Sequence, residues 1–185
     1  MKTLKTLLFL FIMSVVITAN AQFKFGVGGG LNFASLSGDD SDGFKSATGF
    51  NAGIMTEIKL PAVVGFEADV LFSTKGATFN FLSLSEDLKL SYMDVPVVIK
   101  FYTVKVLSLQ VGAQYSMLMG ADFAGSDVKD NLKSSDLSAV IGFGVDVSKL
   151  HFSLRYNYGL STIDDTGADL KNNVLMLTAG FWIKK

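Results

Sequence analysis

The chain has no cysteine, two prolines and one histidine in 185 residues. Without cysteine it is not a disulfide-stapled secreted domain, and it lacks the residue to which a lipoprotein's lipid is attached. Charge is also scarce, at 18% of residues against about a quarter in ordinary soluble domains. The formal net charge of −1 contains no basic stripe, so the electrostatic footprint of a nucleic-acid binder is missing. After residue 22 no unbroken apolar run is long enough for a membrane helix. What the chain has in excess is grease and glycine: 49% hydrophobic residues, 16 Phe and 18 Gly.

The N-terminal string MKTLKTLLFLFIMSVVITANAQ accounts for part of the grease. Lys2 and Lys5 precede an apolar run from Leu7 to Ile17, and Ala19-Asn20-Ala21 forms a small-x-small cleavage site. The run is shorter than the ~20 apolar residues of a spanning anchor and ends in a processing signal. The expectation is a secretory signal peptide over 1–21, a mature start at Gln22 and one domain over 22–185.

The mature chain reads with period two. In LHFSLRYNYGL, residues 150–160, Leu, Phe, Leu, Tyr, Tyr and Leu alternate with His151, Ser153, Arg155, Asn157 and Gly159, the mark of a strand with two unlike faces. Eight such segments are expected, at 23–35, 48–60, 63–75, 89–103, 105–119, 135–148, 150–162 and 173–184. Their joints alternate: LPAV, TVK and SKL are tight, whereas LSGDDSDGFKSAT, GATFNFLSLSEDL, GADFAGSDVKDNLKSS and STIDDTGADLKNN are long and polar. In an up-and-down barrel this puts short turns at one rim and long loops at the other, as in outer-membrane barrels with periplasmic turns and external loops.

One phase of each segment is bulky and uncharged, for example Phe50, Ile54 and Ile58, or Val95, Val97, Ile99 and Phe101. The other carries the charges and the glycines, among them Glu57, Glu67, Asp69, Asp94, Lys100, Asp146, Arg155, Gly28, Gly142 and Gly180. An eight-stranded barrel is only wide enough for side chains to fill, so small and paired polar residues belong inside. The bulky phase meets no steric limit in lipid, where a midplane charge costs roughly 2–4 kcal/mol. The alternative is a soluble lipocalin-like ligand-binding barrel, which reverses the faces and leaves glycines on a solvated surface. The reading is therefore an all-β, eight-stranded antiparallel transmembrane barrel behind a cleaved signal peptide. Phe23, Phe101, Tyr102, Phe152 and Trp182 lie at strand ends as girdle aromatics, with a lumen plug as the second reading of Trp182. Pro96, inside the fourth strand, implies a bulge or bend.

The strings FKFGVGGGLNFASL, GFNAGIMTEIKL, VLFSTKGA, LSYMDVPVVIKFY, LSLQVGAQYSMLM and LRYNYGLSTI, in that order and spacing, resemble the PorT-like outer-membrane β-barrel family of Bacteroidetes over nearly all of the mature chain. The resemblance implies Sec export and insertion by the barrel-assembly machinery. The family takes its name from a component of the type IX secretion and gliding apparatus, though most members have no assigned activity. Many outer-membrane barrels end on an aromatic residue; this chain ends FWIKK, with Phe181 and Trp182 inside the last strand.

The candidate site is a structural polar network in the lumen: Glu57, Glu67, Asp69, Lys100, Asp146 and Arg155, with the cations engaging the carboxylates because buried charges persist only when paired. A conducting or substrate-binding lumen is the alternative. Catalysis would rest on His151 with Ser153 two residues on, an ordinary strand spacing, so no catalytic residue is assigned. DDSDG at 39–43 and DDTGAD at 164–169 hold oxygen ligands but do not match an EF-hand loop, and they read as solvated turns without a metal. GVGGGLN lacks the Lys-Ser/Thr of a phosphate-binding loop. No cofactor is expected. The expected function is a non-enzymatic, monomeric outer-membrane barrel with an envelope-structural or surface-binding role through its external loops. An accessory part of a secretion machine and a small pore are the competing roles.

Overall fold

The computed structural model describes residues 22–184 apart from 40, 42, 43, 62, 82, 83 and 124. The expected signal peptide over 1–21 lies outside the described residues. The strands are β1 (Gln22–Ser37), β2 (Phe44–Lys59), β3 (Val64–Phe81), β4 (Leu84–Val104), β5 (Leu107–Phe123), β6 (Ser126–Asp127), β7 (Ser135–Val147), β8 (Leu150–Gly159) and β9 (Lys171–Lys184). All pairings are antiparallel, and β1 pairs with β9 to close the sheet. The two-residue β6 is a flap on β5, so the wall is a closed eight-stranded up-and-down barrel. Closure leaves no strand edge to satisfy in hydrocarbon.

The uncharged phase faces outward on all eight wall strands. Phe23, Val27, Leu31, Phe50, Ile54, Val70, Val97, Val111, Ile141, Phe152 and Leu177 are each between 44% and 64% exposed. That is the reverse of a soluble lipocalin-like barrel, whose apolar face is inside. The apolar side of a strand changes along its length. On β4, Met93, Val95, Val97, Ile99 and Phe101 occupy the outer phase, but Leu88, Leu90 and Tyr92, nearer the long loops, point inward and are buried. The facing strand β5 changes at the same height, where buried Leu118 pairs with Tyr92. The apolar side flips where the outside changes from lipid to water, so this pair marks the upper edge of the belt.

Three expectations need correction. The segment GATFNFLSLSEDL is strand over much of its length: β3 continues to Phe81 and β4 begins at Leu84, paired through Phe81↔Leu84. Above the belt the hydrogen-bond ladder continues, and the apolar residues described there, Leu88 and Leu90, turn inward to an apolar cap. Two other long joints are more than solvated turns. Ile163 from the last loop packs with Leu88, Leu90, Tyr92, Leu118 and Ala121, and Leu36, Phe123, Val128, Leu132 and Leu170 pack around them. Pro96 makes no bulge against β3: the register is the same at Ala68↔Val97 and Leu71↔Asp94, with only the intervening pairs missing from the ladder. A lost donor interrupts the ladder without adding a residue.

Candidate functional site

Register assembles the charges at the short-turn end of the lumen. Glu57 on β2 stands directly opposite Glu67 on β3, a like-charge pair that is unfavourable unless bridged. Lys100 on β4 bridges it: its Nζ donates to Glu57 Oε2 at 2.9 Å, Glu67 Oε2 at 2.7 Å and Asp146 Oδ2 at 3.3 Å. Arg155 on β8 reaches across the barrel to β3, donating to Asp69 Oδ2 at 3.0 Å and to Glu67 Oε1, while its Nε donates to Gln110 Oε1 at 2.7 Å. The structure thus places Glu57, Glu67, Asp69, Lys100, Asp146 and Arg155 in one connected, buried cluster.

Four further members were not assigned from the sequence. Lys24 Nζ donates to Glu57 Oε1 at 3.1 Å. The Tyr102 hydroxyl lies 2.6 Å from Glu57 Oε1 and 2.9 Å from Asp146 Oδ2. Trp182 Nε1 donates to Asp146 Oδ1 at 3.0 Å, and His151 Nδ1 lies 3.0 Å from that oxygen. Tyr102 and Trp182 are therefore lumen side chains, and the girdle reading holds in geometry only for Phe23, Phe101 and Phe152, which face outward. The signal was available: all four share the lumen phase of their strands. Tyr102, Trp182 and His151 bring hydroxyl, indole and imidazole donors in place of a full charge, and Lys24 is a third cation beside Lys100 and Arg155.

A second ion pair lies higher in the lumen. Lys75 Nζ donates to Asp94 Oδ1 at 2.9 Å and to Ser116 Oγ at 3.1 Å, and it sits 4.6 Å from the centre of the Tyr92 ring. Gln114 and Asn157 continue the chain, and Asn32, Ser73, Asn51 and Thr178 form a second chain of hydrogen bonds. Space is tight between the two clusters. A Cβ on Gly28 or Gly180 would stand 2.4 or 2.7 Å from the Met55 sulfur, and one on Gly144 would stand 2.4 Å from Gln110 Nε2. Around Met55 and Gln110 the side chains thus leave no room for one further carbon.

His151 is completely buried and its ring packs on Trp182 at 5.6 Å. Ser153 is buried as well. Of the two acidic strings, 39–43 lies partly outside the described residues. In the other, Asp164 accepts from the backbone N–H groups of Thr166, Gly167 and Ala168 at 2.7–2.8 Å. Its slight burial raises the Asp164 carboxyl, but the Ala168 N–H and the other loop donors outweigh that and hold it below the usual carboxylate range. A cavity of about 750 Å³ opens on the long-loop half, lined by Ala47, Thr48, Lys75, Ala77, Leu88 and Leu90 among others.

A closed eight-stranded sheet with lipid-facing apolar residues outside and buried ion pairs inside is an outer-membrane type of barrel. The family model described as outer membrane protein beta-barrel domain matches residues 18–165, and the chain belongs to that family. Its place is the outer membrane, in contact with lipid. Among solved structures it is similar to Neisserial surface protein A, with 19% identity, 85% of this chain and 96% of that chain covered, and a TM-score of 0.59. It is also similar to Ail, the attachment invasion locus protein of Yersinia pestis, solved with the heparin analogue sucrose octasulfate: 19% identity, 88% and 99% coverage, TM-score 0.55. A search of curated proteins finds no match.

Proposed function

We propose that this chain is a non-enzymatic, monomeric outer-membrane barrel with short turns toward the periplasm, acting through its long-loop end in an envelope-structural or surface-binding role. The observation that carries the reading is the blocked lower lumen. Ion pairs and tightly packed side chains occupy it, the apolar cluster and the cavity beside it lie above, and the accessible surface is that of the long-loop end. Full burial of His151 and Ser153 removes them from any substrate. The six lumen residues Glu57, Glu67, Asp69, Lys100, Asp146 and Arg155 act as a structural network joining the walls.

Ail was solved with a sulfated polyanion. The long-loop end here carries both signs among the described residues, Asp39, Asp122, Asp130, Asp164, Asp165 and Asp169 beside Lys45, Lys89, Lys129, Lys133 and Lys171, so it presents no single-sign field of the kind that selects a polyanion. The test is ionic current across planar bilayers together with a deletion strain. Absence of conductance steps, with altered envelope permeability or surface adhesion on deletion, supports the reading. Stable conductance steps refute the blocked lumen, and an unaffected envelope and adhesion refute the role.

The six strings similar to PorT-like proteins of Bacteroidetes favour a second reading, an accessory component of a type IX secretion or gliding machine. Co-purification of the barrel with such a complex decides it. Export by a signal peptide cleaved after Ala21 and insertion by the barrel-assembly machinery belong to either reading.

A further inference from the structure

The exposed charges of the short-turn end are of one sign, whereas the long-loop end carries both lysines and aspartates. At the short-turn rim the exposed ionisable side chains among the described residues are lysines: Lys105, Lys149 and Lys184, with half-buried Lys59 at the mouth. The carboxylates closest to that rim, Glu57, Glu67 and Asp146, are buried inside and engaged by the lumen cluster. The exposed Asp residues stand at the opposite end. This rim therefore presents one sign of charge to its surroundings.

The same rim is apolar between its lysines. Val63, Val104, Val106, Leu107, Leu150 and Ile183 are between 38% and 57% exposed. The turns themselves thus continue the greasy belt, which is a poor surface to offer water or a soluble acidic protein. Lys149 Nζ lies 5.7 Å from the centre of the outward-facing Phe181 ring. Long lysine stems lie on apolar surface while the ammonium reaches the polar boundary. Cations at the edge of a lipid-facing belt meet the layer where phosphates lie.

We propose that the short-turn rim is a collar for anionic phospholipid headgroups, with Lys105, Lys149 and Lys184 contacting the phosphates and the exposed valines and leucines between them lying among the first acyl methylenes. The collar rests on the barrel's residence in a bilayer and holds whichever leaflet the rim meets. Its strength follows from surface electrostatics: near an anionic membrane each lysine contributes about fivefold to a partition constant at physiological salt, and screening at high salt removes most of it.

The test uses the full barrel in bilayers of phosphatidylcholine containing a minor fraction of spin-labelled phosphatidylglycerol or spin-labelled phosphatidylcholine, so that relative association with the wall is read by electron spin resonance. The natural chain should prefer phosphatidylglycerol severalfold. That preference should vanish in K105Q/K149Q/K184Q, and it should shrink at high salt. Replacing chloride by inorganic phosphate at equal ionic strength should leave it unchanged. No preference in the natural chain, an equal preference in the variant, or displacement by inorganic phosphate overturns the collar; the first would leave the rim to a soluble partner. These lysines lie outside the lumen cluster, and a heat-dependent gel shift of each variant separates loss of the collar from loss of the barrel. If the triple variant fails to fold, the salt dependence of the natural chain and K105Q alone decide the question.

Discussion

Arg155→Ala is the most informative single perturbation of the lumen. The guanidinium holds Asp69, Glu67 and Gln110 at once. After truncation Glu67 keeps Lys100 at 2.7 Å, but Asp69 loses its only ion-pair partner among the described residues. Stranding one member of a buried pair costs about 3–5 kcal/mol, and the freed Gln110 acceptor adds about 1–3 kcal/mol. Water entering the space vacated by a long side chain offsets part of this. The expected loss is about 4 kcal/mol, a large share of the ~5–15 kcal/mol available to a folded domain. The assay is urea unfolding of the barrel in phosphatidylcholine vesicles, followed by the fluorescence of Trp182, the single tryptophan, which is buried beside Asp146. Adding Asp69→Asn to Arg155→Ala should recover part of the loss, because a stranded neutral amide costs less than a stranded charge. A single variant within ~0.5 kcal/mol of the natural chain, the scale of an ordinary surface substitution, would refute the network.

Other outcomes follow from the same geometry. Lys75→Met should cost about 3–5 kcal/mol in the same titration by stranding buried Asp94; a negligible change would show that water already screens the pair. Gly30→Val should block or severely slow folding, measured as loss of the heat-shifted gel band, because even its Cβ would fall 1.8 Å from the Leu177 carbonyl oxygen. The Asp164 carboxyl is depressed in the fold, so its contribution is present above the ordinary value of about 4 and is lost as pH falls through the depressed value. Limited proteolysis of the 160–170 loop should therefore be slow at neutral pH, faster in strong acid with an acid-active protease, and fast at neutral pH in Asp164→Ala. N-terminal sequencing of the exported protein should begin at Gln22; any other start would move the processing site.

The belt was legible because lipid and a narrow lumen impose opposite demands on alternate residues, and those demands write period two into the chain. In β8 the alternation of Leu154 and Tyr156 with Arg155 and Asn157 fixes both the strand and its faces. Above the belt only the ladder and the cap constrain the chain, so the upper parts of β3 and β4 read as a polar loop. Leu88 and Leu90 share the phase of Asp94 and Lys100, and their inward turn makes sense only once the outside is known to be water. At the other end, the charged candidates met because phase and height bring them together. Tyr102 and Trp182 were harder to assign because an aromatic at a strand end fits both a girdle and a plug, and the hydrogen bonds to Asp146 decide between them.

The seam between β1 and β9 makes closure depend on the last strand of the chain. Gly28 is paired with Gly180 and Phe33 with Leu175, so the first wall strand waits for the last before its outer row of backbone groups is satisfied. The local hairpins can form as the chain arrives, but the ring cannot shut until the C-terminal strand is delivered. A chain interrupted before β9 would present two bare edges to hydrocarbon, each with several kcal/mol at stake per unpaired group. Closure is thereby an all-or-none checkpoint on chain completeness: a partial product has no stable residence in the membrane and stays in the hands of whatever escorts it.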